Sequence, residues 1–230
     1  MTTGRTKDGR VGICTATQVH LPTTVLGLSA NASASVTTED FLGRGVEEAS
    51  VHSIGRDLSF STVYDTSAID RMVAALLDDH YSSAAADGLW MVLWSEVAPA
   101  AFQALPIDLA HPSYQAPAAD AISRPWSMSQ RDAGYWGTTV VPFGPTVDGT
   151  ELELLDSHPA DAQAIFLLTD VDSTVTRLAW GRNGTSIDPG DDARFWVAGL
   201  STSGTVTITS TGGTVTGVLL VGQAEEVPHG

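Results

Sequence analysis

Only one stretch of this chain carries the period of a helix. Ile69, Met72, Val73, Ala75, Leu76 and Leu77 recur every 3.6 residues or so, the spacing of a one-sided apolar stripe. Ser67 or Thr66 stands where it can cap the start, and Asp70 lies in the first turn, where a carboxylate suits the helix dipole. Just upstream, Asp57 to Tyr64 alternates, with Leu58, Phe60 and Tyr64 on one face and Ser59 and Ser61 on the other. Nearly everything else reads as strand and loop. The expected fold is therefore mainly β with one flanking helix at about 67–79.

The strands are placed by pattern and bounded by turn signals. Val25 to Val36 passes from an apolar start into a run of small residues, and Leu89 to Trp94 is apolar enough for a strand buried on both faces. Thr37 to Ser53 is polar and glycine-punctuated, which reads as a long loop at about 37–53. Pro99 to Asp120 holds four prolines around a short Ile107–Leu109 strand. Ala121 to Gln130 and Thr138 to Phe143 read as strands, closed by Gly144-Pro145. A boundary at 144/145 then separates residues 1–144 from a C-terminal β-sandwich over 145–230, with strands at 164–168, 175–180, 193–198, 205–210 and 214–221. Asn183-Gly184, Pro189-Gly190 and Gly212-Gly213 supply the turns between them.

Charge and cysteine content exclude several roles. The 230 residues carry 27 Asp and Glu against 11 Lys and Arg, a net charge of −16. The excess runs through both halves, so no basic stripe offers itself to phosphates. Such acidity keeps a protein dispersed, and it also suits a surface that must lie near nucleic acid without gripping it. Cys14 is the only cysteine, so neither an internal disulfide nor a cysteine cage for a metal can form. No apolar run is long enough to span a membrane.

The search for chemistry finds no nucleophile elbow, phosphate loop, dinucleotide fingerprint or zinc helix. The six histidines are scattered. His80 after Asp78 and Asp79 suits a cation at a helix C-terminus better than a metal corner. Asp188, Asp191 and Asp192 lack the alternating ligands and distal Glu of a calcium loop, and a hairpin turn explains them with fewer assumptions. Asp170 and Asp172 form a weak carboxylate pair at a strand end. Trp180, Phe195 and Trp196 read either as sandwich core or as a sugar platform. Tyr135 and Trp136 read as rings covering a barrel end. No catalytic, cofactor or metal residue is assigned.

The order of parts carries a resemblance. A polar first strand, a charged loop, Ser53 to Asp57 leading into the alternating strand, the helix, the Leu89–Trp94 strand, and Ser123 to Gln130 followed by Thr138 to Phe143 resemble the tail tube (major tail) proteins of long-tailed, non-contractile bacteriophages. The resemblance spans about Gln18 to Phe143, and the proline-rich insertion around Ala98 to Asp120 departs from it. It implies a virion structural protein located in the tail, a subunit of stacked hexameric rings whose channel passes DNA without specific binding. Other tail proteins would be its partners, and a C-terminal domain would be displayed outside. Glu39, Asp40, Arg44, Glu47 and Glu48 are then candidates for the ring-to-ring contact. A capsid decoration or head protein, and a carbohydrate-binding sandwich, stand as alternatives.

Overall fold

Two apolar runs, Ala164-Ile165-Phe166-Leu167-Leu168 and Val218-Leu219-Leu220-Val221, are too uniformly hydrophobic for strands with one wet face, and both are buried throughout. They lie in neighbouring antiparallel strands, β10 (Gln163–Val171) and β15 (Val215–Ala224), at the centre of one of two compact units. The computed structural model describes residues 9–21, 25–40, 47–63, 88–97, 99–109, 123–182, 185–187, 193–200 and 204–225. The helix expected at about 67–79 lies outside these residues.

In chain order the strands are β1 (Gly9–Cys14), β2 (Val19–His20), β3 (Val25–Asp40), β4 (Glu47–Val63), β5 (Trp90–Ser95), β6 (Ala101–Leu109), β7 (Ser123–Gln130) and β8 (Tyr135–Phe143). They continue with β9 (Glu151–Leu155), β10, β11 (Arg177–Arg182), β12 (Thr185–Ile187), β13 (Phe195–Gly199), β14 (Val206–Thr211) and β15. The first unit comprises residues 1–21, 85–105 and 134–225. Its larger sheet runs β13-β10-β15-β8-β6-β5-β1-β2, and its smaller sheet runs β12-β11-β14-β9.

Alternation along β10 and β15 feeds two cores. Ile165, Leu167, Val218 and Leu220 face one side, packing with Cys14, Val92, Trp94, Phe102, Ala104 and Phe195. Ala164, Phe166, Leu168, Leu219 and Val221 face the other, packing with Leu154, Leu178, Val206 and Ile208 of the smaller sheet. Each fully buried large side chain here contributes roughly 1.5–3 kcal/mol of transfer free energy. The larger sheet curls until its ends meet. The backbone N–H groups of Arg194 and Phe195, at the start of β13, donate to the Ala16 carbonyl in the β1–β2 turn at 2.7 and 3.3 Å.

This arrangement corrects the expected domain division. The two-sheet packing foreseen after residue 145 exists, but its larger sheet is shared with the first half of the chain, since β15 pairs with β8 from Gly217↔Phe143 to Ala224↔Tyr135. A boundary at 144/145 would cut through that pairing. The physical reason is the two-sided burial of β10 and β15: a free-standing sandwich would leave their second apolar face wet.

The proline-rich stretch is also corrected. Residues 101–109 form one nine-residue strand, not a short piece. Phe102 to Ala104 pair with β8, whereas Ile107 to Leu109 pair with β7. Pro106, which has no N–H to give a ladder, stands between these two stretches of pairing. Its carbonyl accepts from the Arg131 N–H at 3.0 Å.

The second unit comprises residues 22–84, 106–133 and 226–230. Within it β4 pairs with β3 on one side and β7 on the other, and β7 pairs in turn with the end of β6. The alternation read from the sequence holds where β4 is covered: Leu58 and Met128 are opposite one another and buried, while Asp57, Ser59, Ser127 and Ser129 are exposed.

Candidate assembly surface

The five assembly candidates were expected in a loop, and the structure places four of them in strands. β3 extends to Asp40 and β4 begins at Glu47, so 37–40 and 47–53 belong to one long antiparallel hairpin. Arg44 lies outside the described residues. The signal for the strand was present: Val36, Thr37, Thr38 and Val51 are β-branched, and stiff χ1 rotamers favour extended backbone. Polar composition masked it, because a ribbon need not bury its side chains to satisfy its backbone.

The hairpin has two parts. From Asp57 to Val63, β4 is held on both edges, by β3 and by β7. Ser29 and Ser59 share a hydrogen bond between hydroxyls at 2.6 Å in this part. From Glu47 to Arg56, β4 bonds only β3 among the described residues, and the pairing runs from Ala32↔Arg56 to Asp40↔Glu47. At about 3.3 Å per residue this two-stranded ribbon reaches roughly 30 Å beyond the three-stranded part. The register shifts once, between Ser35↔Ser53 and Val36↔Val51, leaving His52 as the extra residue of a bulge that bends and twists the ribbon.

The end of the ribbon concentrates negative charge. Glu39 stands opposite Glu48, and Asp40 opposite Glu47. Directly opposed like charges destabilise a strand pair. A two-stranded hairpin is marginal by itself in water, so this register is an odd one for a ribbon meant to stand alone.

Other polar groups singled out in the sequence have local duties. The Asp172 carboxylate accepts from the backbone N–H and the hydroxyl of Thr174, both at 3.0 Å, and the backbone hydrogen bond leads in holding its pKa below the usual carboxylate range. The same hydroxyl also lies against the Gly212 carbonyl, so its one proton is shared between the two acceptors. Gly212 has a φ of 87°, the left-handed region that glycine tolerates, and its N–H donates to Asp148 at 2.7 Å. Asp170 is exposed and takes no part in this turn network. The Asp188–Asp192 segment and His80 lie outside the described residues. Among the described residues no group of three or more His, Cys, Asp or Glu is gathered as a metal site. No described helix is long and apolar enough to cross a membrane.

The aromatic residues divide sharply. Phe195 is buried beside Trp90, with ring centroids 5.6 Å apart, and Trp196 stacks on Phe166 at 4.7 Å. Phe195 is therefore core, and Trp196 is half-buried with its ring packed on a core phenylalanine; of the sugar platform weighed from the sequence, the Trp180 side chain lies outside the described residues. Tyr135, in strand β8, is half-buried and stacks on Trp90 at 5.8 Å, packed against the core of the larger sheet. Its neighbour Trp136 does the opposite and is 51% exposed. The free thiol of Cys14 is fully buried, and desolvation pushes its pKa well above the ordinary thiol range, which removes it as a nucleophile.

No protein-family model matches the chain, and no curated protein matches it. Among solved structures, the chain is similar to one in the tail of an empty gene transfer agent particle refined with C6 symmetry, at 11% identity and a TM-score of 0.42, covering 57% of this chain and 97% of that one. A chain in the six-fold symmetrised baseplate of the anti-feeding prophage matches at 9% identity and a TM-score of 0.40, covering 59% and 96%. The Dit protein of phage SPP1, described as a hub adsorption apparatus, matches at 10% identity and a TM-score of 0.33, covering 92% and 98%.

Proposed function

We propose that this chain is a non-catalytic virion structural protein of a phage tail, a tube subunit that closes into rings which stack around a channel for the genome. The observation that carries the reading is the β3–β4 ribbon. A hairpin of 16- and 17-residue strands, paired for half its length only with itself among the described residues, has backbone and charge that call for a neighbour. Stacked copies of one chain supply that neighbour, and heterologous contacts that close on themselves generate rings. Glu39, Asp40, Glu47 and Glu48 at the ribbon's end are the proposed ring-to-ring contact residues. The net charge of −16 supports the channel role, because an acidic lumen repels phosphate and lets DNA pass. The order of strands supports it through the tail tube resemblance.

Negative-stain microscopy of the purified chain at high concentration, with mass measurement of the species present, tests the reading. Rings or tubes are expected. A strictly monomeric chain under all tube-forming conditions would overturn it, and trimers that bind capsids would point to a decoration protein instead.

A further inference from the structure

Among the described residues, the first unit leaves little backbone open to a second chain. Its larger sheet is tied end to end by the Arg194 and Phe195 N–H groups on the Ala16 carbonyl. Its smaller sheet ends on one side in β12, which is three residues long, and on the other in β9, which is five residues long with Glu151 and Glu153 exposed. Short length and outward charge keep a sheet edge from pairing with another chain. The strands also close across both places where the chain departs into the second unit. Ile13 pairs with His20 on one side and Met91 on the other, spanning the departure at 22–84, and Ala104 pairs with Tyr135, spanning that at 106–133.

The second unit does the reverse. Among the described residues β3 pairs only with β4, so one side of a 16-residue strand has no partner. On the far side of the same sheet β4 runs on past β7, and there residues 47–56 are unpaired. Both stretches hold a bulge, at Gly27 and at His52, yet neither is short. Neither is guarded by charge or proline, since 25–38 and 49–55 contain no Asp, Glu, Lys, Arg or Pro.

From these edges we infer that copies of the chain join through the second unit alone, with β3 of one copy laid along residues 49–55 of β4 in the next, and that the first unit takes no part in the contact. The inference rests on the assembly reading above and names the surface that carries it. Two features of the sheet select a second copy as the occupant. Its unpaired edges are different strands on opposite sides, which is the head-to-tail arrangement that joins copies of one chain into a closed ring. Both edges are also free of charged residues, so they meet without setting the carboxylates of two −16 chains against each other. The ribbon's own carboxylates lie beyond these stretches, at Glu39, Asp40, Glu47 and Glu48 and at Asp57.

Hydrogen–deuterium exchange of the full-length chain, compared above and below the concentration at which it assembles, tests this. Assembly should slow amide exchange across 25–38 and 49–55 and leave β9 to β15 unchanged. Substitution makes the same test a second way. Ser33→Lys combined with Ser35→Lys puts charge on the β3 edge, at positions that share the face of the exposed Ser29. The concentration for half-assembly, read by sedimentation velocity, should then rise about tenfold or more. The two lysines reduce the net negative charge, so repulsion between chains cannot be the cause. Trp136→Glu, which adds a charge at an exposed position of the first unit, should leave that concentration unchanged. Slowed exchange in the first unit, loss of assembly in Trp136→Glu, or wild-type assembly in the folded lysine variant would each overturn the inference while the assembly reading stands. A wild type that stays monomeric would bring down the assembly reading and the inference with it.

Discussion

The two units of this chain use strands in opposite ways. In the first, β10 and β15 are covered on both edges and both faces, so their stability is settled within one molecule. In the second, β3 and β4 run on past β7 as a ribbon whose hydrogen bonds are made but whose register sets like charges against each other. One region is finished on its own. The other has the makings of a part awaiting a neighbour. The contrast shows that being a strand and being stable are separate properties: the backbone ladder is common to both regions, and burial is what distinguishes the first.

The largest expected effect lies where burial is greatest. Phe166 is fully buried, stacked on Trp196 and set in the core shared by the two sheets of the first unit. Phe166→Ala should cost about 3–5 kcal/mol, measured by urea unfolding. A loss below about 1 kcal/mol would show that β10 is not sandwiched between two cores. Next comes Cys14, whose neighbours are Val92, Trp94 and Phe102. Cys14→Ser exchanges a weakly polar thiol for a hydroxyl in an apolar site and should cost roughly 1–3 kcal/mol. In the native wild type a thiol reagent should react only as fast as the chain unfolds. Rapid native labelling would show that the barrel interior is open to water.

Sequence legibility followed the same divide. The Leu58 and Met128 alternation was readable because one buried face leaves a period of two. The runs at Ala164–Leu168 and Val218–Val221 were readable as strands, but nothing local says that both faces are covered by different cores. That depends on β8 returning to pair with β15, a non-local event. Pro106 misled for a related reason, since a proline ends regular structure unless, as here, its missing donor falls where one strand changes partners. The ribbon is hidden by its polar residues, which read as loop, although Val36, Thr37, Thr38 and Val51 argue for strand. Trp136 was legible only as an aromatic. Its exposure goes with a register shift between β8 and β15, from Thr139↔Val221 to Trp136↔Gln223, beside Gly137 and Gly222, which are 85 positions apart in the chain.

A smaller effect sharpens the ribbon's side of the contrast. Glu48→Lys replaces the like-charged pairing with Glu39 by an opposite one, a change of roughly 0.2–1 kcal/mol in favour of the hairpin. Amide exchange across Val36–Asp40 and Glu47–Val51 should slow in the unassembled chain, while ring-to-ring stacking should weaken, because the altered carboxylate is a proposed contact. Slower exchange with unchanged stacking would remove Glu48 from the contact and leave the register intact. Unaltered exchange would break the register itself.

The smallest effect belongs to Asp172, which is fully exposed but held by two hydrogen bonds from Thr174. These favour the charged carboxylate, so the folded pKa lies below the unfolded one. A depressed carboxylate pKa stabilises the fold above the unfolded value, and that contribution disappears as the pH falls through the folded value. The turn that joins Asp172, Thr174 and Gly212 should therefore loosen in acid while the buried strands beside it persist. Thr174→Val keeps the backbone N–H donor and deletes the hydroxyl, so the Asp172 carboxyl resonance, followed by NMR against pH, should titrate at a higher pH without returning to the free value. A midpoint that does not move would mean the hydroxyl contributes nothing. A midpoint that returns fully would mean the hydroxyl, and not the backbone, dominates the shift.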